Sequence, residues 1–152
     1  METIMEIAHQ CKEIPVILGP DRNGKAPLHF AGRYGSNCVV EAIIQSAVSH
    51  GKYMVQTILA PDDEGQTPLH HAVNRNYLET TRAIMQTAAE LGTEMVEAIL
   101  APDKCGNTPL QLAITSPNVY MSTEEAIIRF AIKRGINWKT IIDIKDTAVR
   151  FD

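Results

Sequence analysis

The chain has 152 residues, with 14 Lys plus Arg against 18 Asp plus Glu, so its formal net charge is −4. Hydrophobic residues make up 45% and charged residues 21%, which suits one globular domain and excludes a disordered tail. The acidic excess and the 5% aromatic content argue against a nucleic-acid partner, because phosphate binding needs a basic surface.

The start of the chain does not have the pattern of a secretory signal. Residues 1–6 are acidic where such a signal is basic, and apolar stretches are interrupted well before the ~20 residues that span a bilayer. The cysteines Cys11, Cys38 and Cys105 are odd in number and far apart, which is a poor disulfide framework. We therefore expect a cytoplasmic protein with no membrane partner.

One sequence pattern recurs along the chain. It begins at Ile17, Ile58 and Ile99, so its period is 41 residues. Each copy contains a Pro-Asp-x-x-Gly turn, in which Asp bonds its own backbone two residues on and Gly accepts a positive φ. Agreement by chance at so many positions is very improbable, which identifies a repeat protein.

A short first helix is predicted after each turn. Pro suits the first helical position, and the Thr that precedes it in the second and third copies is a good N-cap. Leu69 and Ala72 lie three apart, on one face of this helix. Gly35 in the first copy and Asn76 in the second are predicted to end it, because both tolerate the left-handed conformation.

A second helix in each copy is predicted by apolar residues at helical spacing. These residues are Val40/Ile43/Ile44/Ala47, Ile84/Met85/Ala88 and Ile127/Ile128/Ala131/Ile132, and Gly51, Gly92 and Gly135 follow them. A further apolar turn comes next, at Met54/Val55/Ile58/Leu59 and Met95/Val96/Ile99/Leu100. The looser connection at Ser116-Pro117-Asn118 separates the helices of the third copy, and Trp138 returns to the phase of the apolar turn.

The residues from Asp62 to Ala72 match the signature D-x-x-G-x-T-P-L-H-x-A completely. The copy from Asp21 to Ala31 has Ala26 in place of Thr, and the third copy has Gln111 in place of His. The chain therefore resembles the ankyrin-repeat family over nearly all of its length. Its units are longer than the usual ~33 residues, and the excess falls after the second helix.

The resemblance implies an all-α fold, an ankyrin-type helical solenoid of stacked helix-turn-helix repeats with turn tips. The added length predicts a lengthened back helix and an extra short helix in each repeat, on the face away from the turns. We expect a single domain over 1–152, with a partial repeat at 1–20, repeats at 21–61, 62–102 and 103–143, and a tail at 144–152. Stacking is required because a single helix pair cannot bury its own apolar face.

Ankyrin arrays generally recognise other proteins, so the resemblance implies a non-enzymatic adaptor or scaffold that is a monomer on its own. Its concave surface is lined by turn tips and by the outer face of the first helices. The family's variable positions correspond here to Arg22, Asn23, Lys25, Phe30, Arg33, Tyr34, Asp63, Glu64, Gln66, His71, Asn74, Arg75, Lys104, Cys105, Asn107, Leu112 and Thr115.

Charge and aromatic residues single out part of this surface. The first repeat contributes basic residues and the second acidic ones beside Arg75, which predicts a partner that runs from acidic to basic along the groove. The alternative is that turn tips are charged because they are solvated. Phe30, Tyr34 and Leu112 are hot-spot candidates, with partial burial between units as the alternative.

The histidines do not predict a metal site. Zinc ligands lie within ~2.3 Å of the ion, whereas successive units stack about 10 Å apart. The resemblance implies a structural role near the turn for His29 and His70, with His71 facing outward. No motif joins Cys38 or Cys105 to a histidine, so we expect no catalytic residue, metal or cofactor.

Two further interpretations stay open. The chain could be a targeting or regulatory segment of a larger enzyme, since residues 143–152 show no obvious terminal cap. It could also be a microbial effector delivered into the cytosol of a host cell, because arrays that resemble host proteins are common among secreted bacterial effectors and viral proteins.

Overall fold

A computed structural model describes residues 18–115 and 122–136. In these two ranges the chain forms helices and no strand. The helices are α1 (Pro27–Tyr34), α2 (Asn37–Ser49), α3 (Lys52–Leu59), α4 (Pro68–Asn74), α5 (Leu78–Leu91), α6 (Thr93–Leu100), α7 (Pro109–Thr115) and α8 (Ser122–Lys133). Most of the partial repeat predicted at 1–20, the connection at 116–118, and the chain from Trp138 through the predicted tail lie outside the described residues.

The helices begin and end at the predicted signals. Each first helix starts with its Pro, because a proline at this position has no N–H that would need an intrahelical partner. Gly35 ends α1 at φ +67°, and Asn76 has φ +58° two residues after the last residue of α4. Gly51 and Gly92 separate the back helices from the short helices that follow. The predicted helix ends are therefore confirmed.

The additional residues of the first two repeats fold as predicted into a long back helix and an extra short one. The back helices α2 and α5 have 13 and 14 residues. The extra helices α3 and α6 have 8 residues each. Both end with a buried leucine, Leu59 or Leu100, shortly before the next turn. The extra helix thus anchors the chain at the point where it leaves one repeat for the next.

Stacking arranges the helices in two rows. The front row is α1, α4 and α7, and the back row is α2, α5 and α8, with contacts between successive members of each row. A continuous cluster of buried apolar side chains runs from Leu18 to Ala131. Ile132, one of the apolar residues whose spacing predicted the third back helix, is 59% exposed.

Polar bonds also join the repeats along the back row. Thr80 on α5 donates a hydrogen bond to Asn37 Oδ1 at 2.9 Å, and Thr123 on α8 donates to Asn76 Oδ1 at 2.7 Å. Both threonines are buried. A buried hydroxyl is costly without a partner, so these pairs fix the register of the helices that follow.

The first two front helices approach closely at Gly32 on α1. A Cβ added there would lie 2.8 Å from the carbonyl oxygen of Pro68, the first residue of α4. A backbone atom cannot move aside as the end of a flexible side chain can. Gly32 therefore allows the contact between repeats one and two.

Gly32→Ala should test this contact. Alanine favours an isolated helix by about 1 kcal/mol, but here we expect a net loss of about 1–3 kcal/mol in the free energy of unfolding, because α1 and α4 must separate. Urea denaturation measures the change, with Gln45→Ala on the exposed side of α2 as a control that stays within about 0.5 kcal/mol. A Gly32→Ala variant that is more stable than wild type would show that α1 and α4 leave room for a methyl group, and it would contradict the close contact.

Candidate partner-binding surface

The three turns share one hydrogen-bond pattern. Asp21 Oδ1 accepts bonds from the backbone N–H groups of Asn23 and Lys25, both at 2.9 Å, and the Lys25 bond is the main cause that lowers the pKa of Asp21. The same two bonds recur at Asp62 and at Asp103, with distances of 2.9–3.0 Å. The predicted turn-forming role of Asp is confirmed in each repeat.

Successive turn tips are joined to one another. The N–H of Asp63 donates to the Asn23 carbonyl at 2.9 Å, and the N–H of Lys104 donates to the Glu64 carbonyl at 2.9 Å. Gly24 makes the first junction possible, because it has φ +74° and an added Cβ would lie 2.8 Å from Asp63 Oδ1. The turn tips are therefore held at fixed positions relative to each other.

The motif histidines connect each repeat to the next. His29 Nδ1 accepts the backbone N–H of Ala26 at 3.0 Å, and its Nε2 lies 3.0 Å from the carbonyl oxygen of Gln66 in the next turn. His70 repeats the arrangement with Thr67 at 3.0 Å and Asn107 at 3.1 Å. Because Nδ1 accepts a hydrogen bond, the neutral ring carries its proton on Nε2. The Nε2–H group then donates a hydrogen bond to the carbonyl oxygen of the next turn. The structural role implied for both histidines is confirmed.

The third repeat reproduces half of this arrangement with a different residue. Gln111 Oε1 accepts the backbone N–H of Thr108 at 2.8 Å, where the other repeats use a histidine Nδ1. Thr108 Oγ1 accepts the N–H of Gln111 at 3.2 Å, so Thr108 is the predicted N-cap. The glutamine preserves the start of the helix.

Burial keeps the bridging histidines neutral. It is the largest cause that lowers the pKa of His29 and of His70 below the ordinary value of 6.5. A second proton would sit on Nδ1, opposite the backbone N–H that this atom accepts. Protonation is therefore incompatible with the bond at the start of α1 or α4.

The bridging histidines should make stability depend on pH. Their folded-state pKa is lowered, so the unfolded chain binds more protons as the pH falls below about 6.5. We expect the free energy of unfolding to be highest above about pH 7 and to fall towards pH 5, by at most about 1.4 kcal/mol per histidine and pH unit. Urea titrations at each pH measure this slope.

His70→Gln provides the comparison. Glutamine can retain the acceptor for the Thr67 N–H, as Gln111 does in the third repeat, but it does not titrate. The slope between pH 7 and 5 should therefore be shallower than in wild type. An unchanged slope would remove His70 as a source of the pH dependence.

The predicted binding residues are all at least partly accessible. We call the turn tips together with the outward residues of α1, α4 and α7 the front surface. Its exposed members are Arg22, Asn23, Phe30, Arg33, Tyr34, Asp63, Glu64, Asn74, Arg75, Lys104, Cys105, Asn107 and Thr115, and its half-buried members are Lys25, Gln66, His71 and Leu112. Phe30 and Tyr34 are 42% and 70% exposed, so both can contact a partner.

The prediction that His71 faces outward is wrong. Only 14% of its side chain is exposed, and its Nε2 lies 3.5 Å from Oδ2 of Asp62, whose side chain is fully buried. The ring also packs edge-on against His29, with 5.6 Å between centroids. The equivalent positions hold Phe30, which is exposed, and Leu112, which is half-buried, so the sequence contained no signal for the inward placement of His71.

Nothing in the sequence distinguishes Asp62 from its equivalents, Asp21 and Asp103. The three turn aspartates share one motif, yet Asp21 is exposed while Asp62 is buried. Asp103 Oδ2 accepts a bond from Gln66 Nε2 at 3.4 Å, whereas Asp62 Oδ2 has no hydrogen-bond partner. Asp103 is buried as well, so what distinguishes Asp62 is its unpartnered Oδ2, which faces His71.

The described residues also form clefts apart from the front surface. Clefts of about 320 and 360 Å³ lie on the back row and include no predicted binding residue. Within the described ranges no three His, Cys, Asp or Glu side chains are grouped to hold a metal ion. No helix in these ranges has the length and apolar character needed to cross a bilayer.

Comparison with known proteins agrees with the fold. A family model described as ankyrin repeats (3 copies) matches residues 6–91 and residues 46–140. No curated protein matches the sequence significantly. Ankyrin repeats are generally protein–protein interaction modules and are typically non-catalytic. With three phased turns, two histidine bridges and a matching family model, the chain belongs to the ankyrin-repeat family.

Proposed function

We propose that this protein binds a protein partner through its front surface, as an adaptor or scaffold. The observation that carries the proposal is the exposure of Phe30 and Tyr34 on α1, a helix whose start is fixed by the His29 bridge. Aromatic side chains dominate interface energies when they fill a partner's pocket. A helix that is already ordered lowers the entropy cost of binding.

The turn tips support the same surface. Their backbones are hydrogen-bonded within each turn and to the next turn, so their side chains project from fixed points. Arg22 and Arg33 are exposed in the first repeat, and Asp63 and Glu64 in the second. This order of charge favours a partner that runs from acidic to basic along the front surface.

Further assignments stay predictions from the sequence. These are a monomer in solution, a cytosolic location, and delivery into a host cell in the effector interpretation.

An aromatic double variant tests the proposed surface. We expect Phe30→Ala with Tyr34→Ala to weaken binding of a partner captured from eukaryotic lysate by about tenfold or more, because truncation of a hot-spot residue typically costs 1–4 kcal/mol. Calorimetry with the purified partner measures the affinity. The matched control is Tyr53→Ala with Val48→Ala, which removes residues 79% and 53% exposed outside the front surface.

The two variants distinguish a partner that binds the front surface from one that binds the back row. If the front variant binds as wild type does and the control variant does not, the partner occupies the back row and the proposal is wrong. Circular dichroism and a thermal melt of each variant separate lost binding from lost folding.

Charge reversal tests the order of charge with the same partner. Arg33→Glu combined with Glu64→Lys should slow association at low salt by about tenfold or more, with a smaller effect at high salt where charges are screened. Stopped-flow association rates measure this. Equal rates for wild type and variant at low salt would leave the turn-tip charges as a solvated surface only.

A further inference from the structure

Two buried polar atoms on the front surface face each other without forming a hydrogen bond. His71 Nε2 and Asp62 Oδ2 are both buried, both lack a hydrogen-bond partner, and lie 3.5 Å apart. Asp62 Oδ1 already accepts the N–H groups of Glu64 and Gln66. A buried polar atom without a partner is costly, so the free protein holds this pair in an incomplete state.

The charges around His71 oppose its protonation in the free protein. Burial is the largest cause that lowers the pKa of His71, and the cationic side chains of Lys25 and Arg33 lower it further. Asp62 acts in the opposite direction. The neighbouring rings of His29 and His70 also interact with His71.

A carboxylate bound beside these groups would reverse the balance. It would pair with Lys25 and Arg33, both accessible, and so remove their effect on His71. The front helices α1, α4 and α7 contain no acidic residue, and although Asp21 in the first turn interacts electrostatically with Lys25, neither Lys25 nor Arg33 forms an ion pair within the described residues. A doubly protonated His71 ring could then donate from Nε2 to Asp62 Oδ2 after a small approach.

We propose that an acidic side chain of the protein partner binds at Lys25, Arg33 and His71, and that His71 takes up a proton from solvent as it binds. The neutral imidazole becomes an imidazolium, and no other bond is made or broken. Binding of the partner thereby depends on pH, since protonation of His71 strengthens binding and binding favours protonation of His71. This inference rests on the proposed function, because it assigns partner chemistry to the same surface.

Hexaglutamate is the probe, and uncharged hexaglutamine is its control. Two-dimensional NMR of the full chain at low ionic strength should show shifts at Lys25, Arg33 and His71 with hexaglutamate and none with hexaglutamine. The pKa of His71, followed through its ring protons, should rise when hexaglutamate is added. Binding should tighten as the pH falls from 8 towards 6, and each unit of rise in the His71 pKa contributes at most about tenfold in affinity.

Three variants separate the contributions. His71→Gln should abolish the pH dependence of binding and leave hexaglutamate bound at the level that wild type shows near pH 8. Lys25→Gln should weaken binding at both pH values, while Lys104→Gln, which removes a turn-tip charge in the third repeat, should change little. Equal losses from the two lysine variants would mean general charge attraction and would overturn the inference.

The outcome is distinguishable from failure of the proposed function. A His71 pKa that hexaglutamate leaves unchanged, or shifts confined to other residues, overturns the inference while a captured partner can still require Phe30 and Tyr34. Conversely, a partner whose affinity is unchanged by the loss of those aromatic side chains does not bind the front surface. This conclusion holds whatever effect hexaglutamate has on His71.

Discussion

The stack depends on a histidine that bonds in two directions. One ring nitrogen of His29 accepts the N–H at the start of its own helix, and the other donates to the carbonyl of Gln66 in the next turn. Both polar ends lie in a buried environment where a missing partner is costly. The same side chain therefore starts a helix and positions the neighbouring repeat, which couples local folding to stacking.

The proposed function depends on the side chains of the front surface, which the stacked repeats leave exposed. The backbone groups of the turns and helix starts are paired within and between repeats, so the front surface is displayed with little further ordering to be done on binding. His71 and Asp62 are an exception, because their facing side-chain atoms have no hydrogen-bond partner. They belong to the turn and helix that face the basic first repeat. Because these two side chains form no hydrogen bond in the free protein, a bound acidic side chain of the partner can favour its formation.

The repeats are alike in motif and unlike in the details of packing. Gly32 admits the close approach of α4 to α1, whereas the equivalent residue of the second repeat is the larger, buried Val73. Thr80 bonds Asn37 and Thr123 bonds Asn76, two cross-repeat pairs of different spacing. Such pairs depend on which side chains meet after stacking, and nothing in the 41-residue period identifies them.

The amino-acid order alone determined the repeat, the turns, the helix ends and the extra helix, because these depend on local preferences of Pro, Gly, Asp and Asn within a few residues. It also placed most of the core, since helical spacing decides which face is apolar. Only the tertiary structure decided that Ile132 is exposed, that Asp62 is buried, and that His71 turns inward. Those outcomes depend on how turns and helices pack against one another, and these contacts exist only once the repeats have stacked.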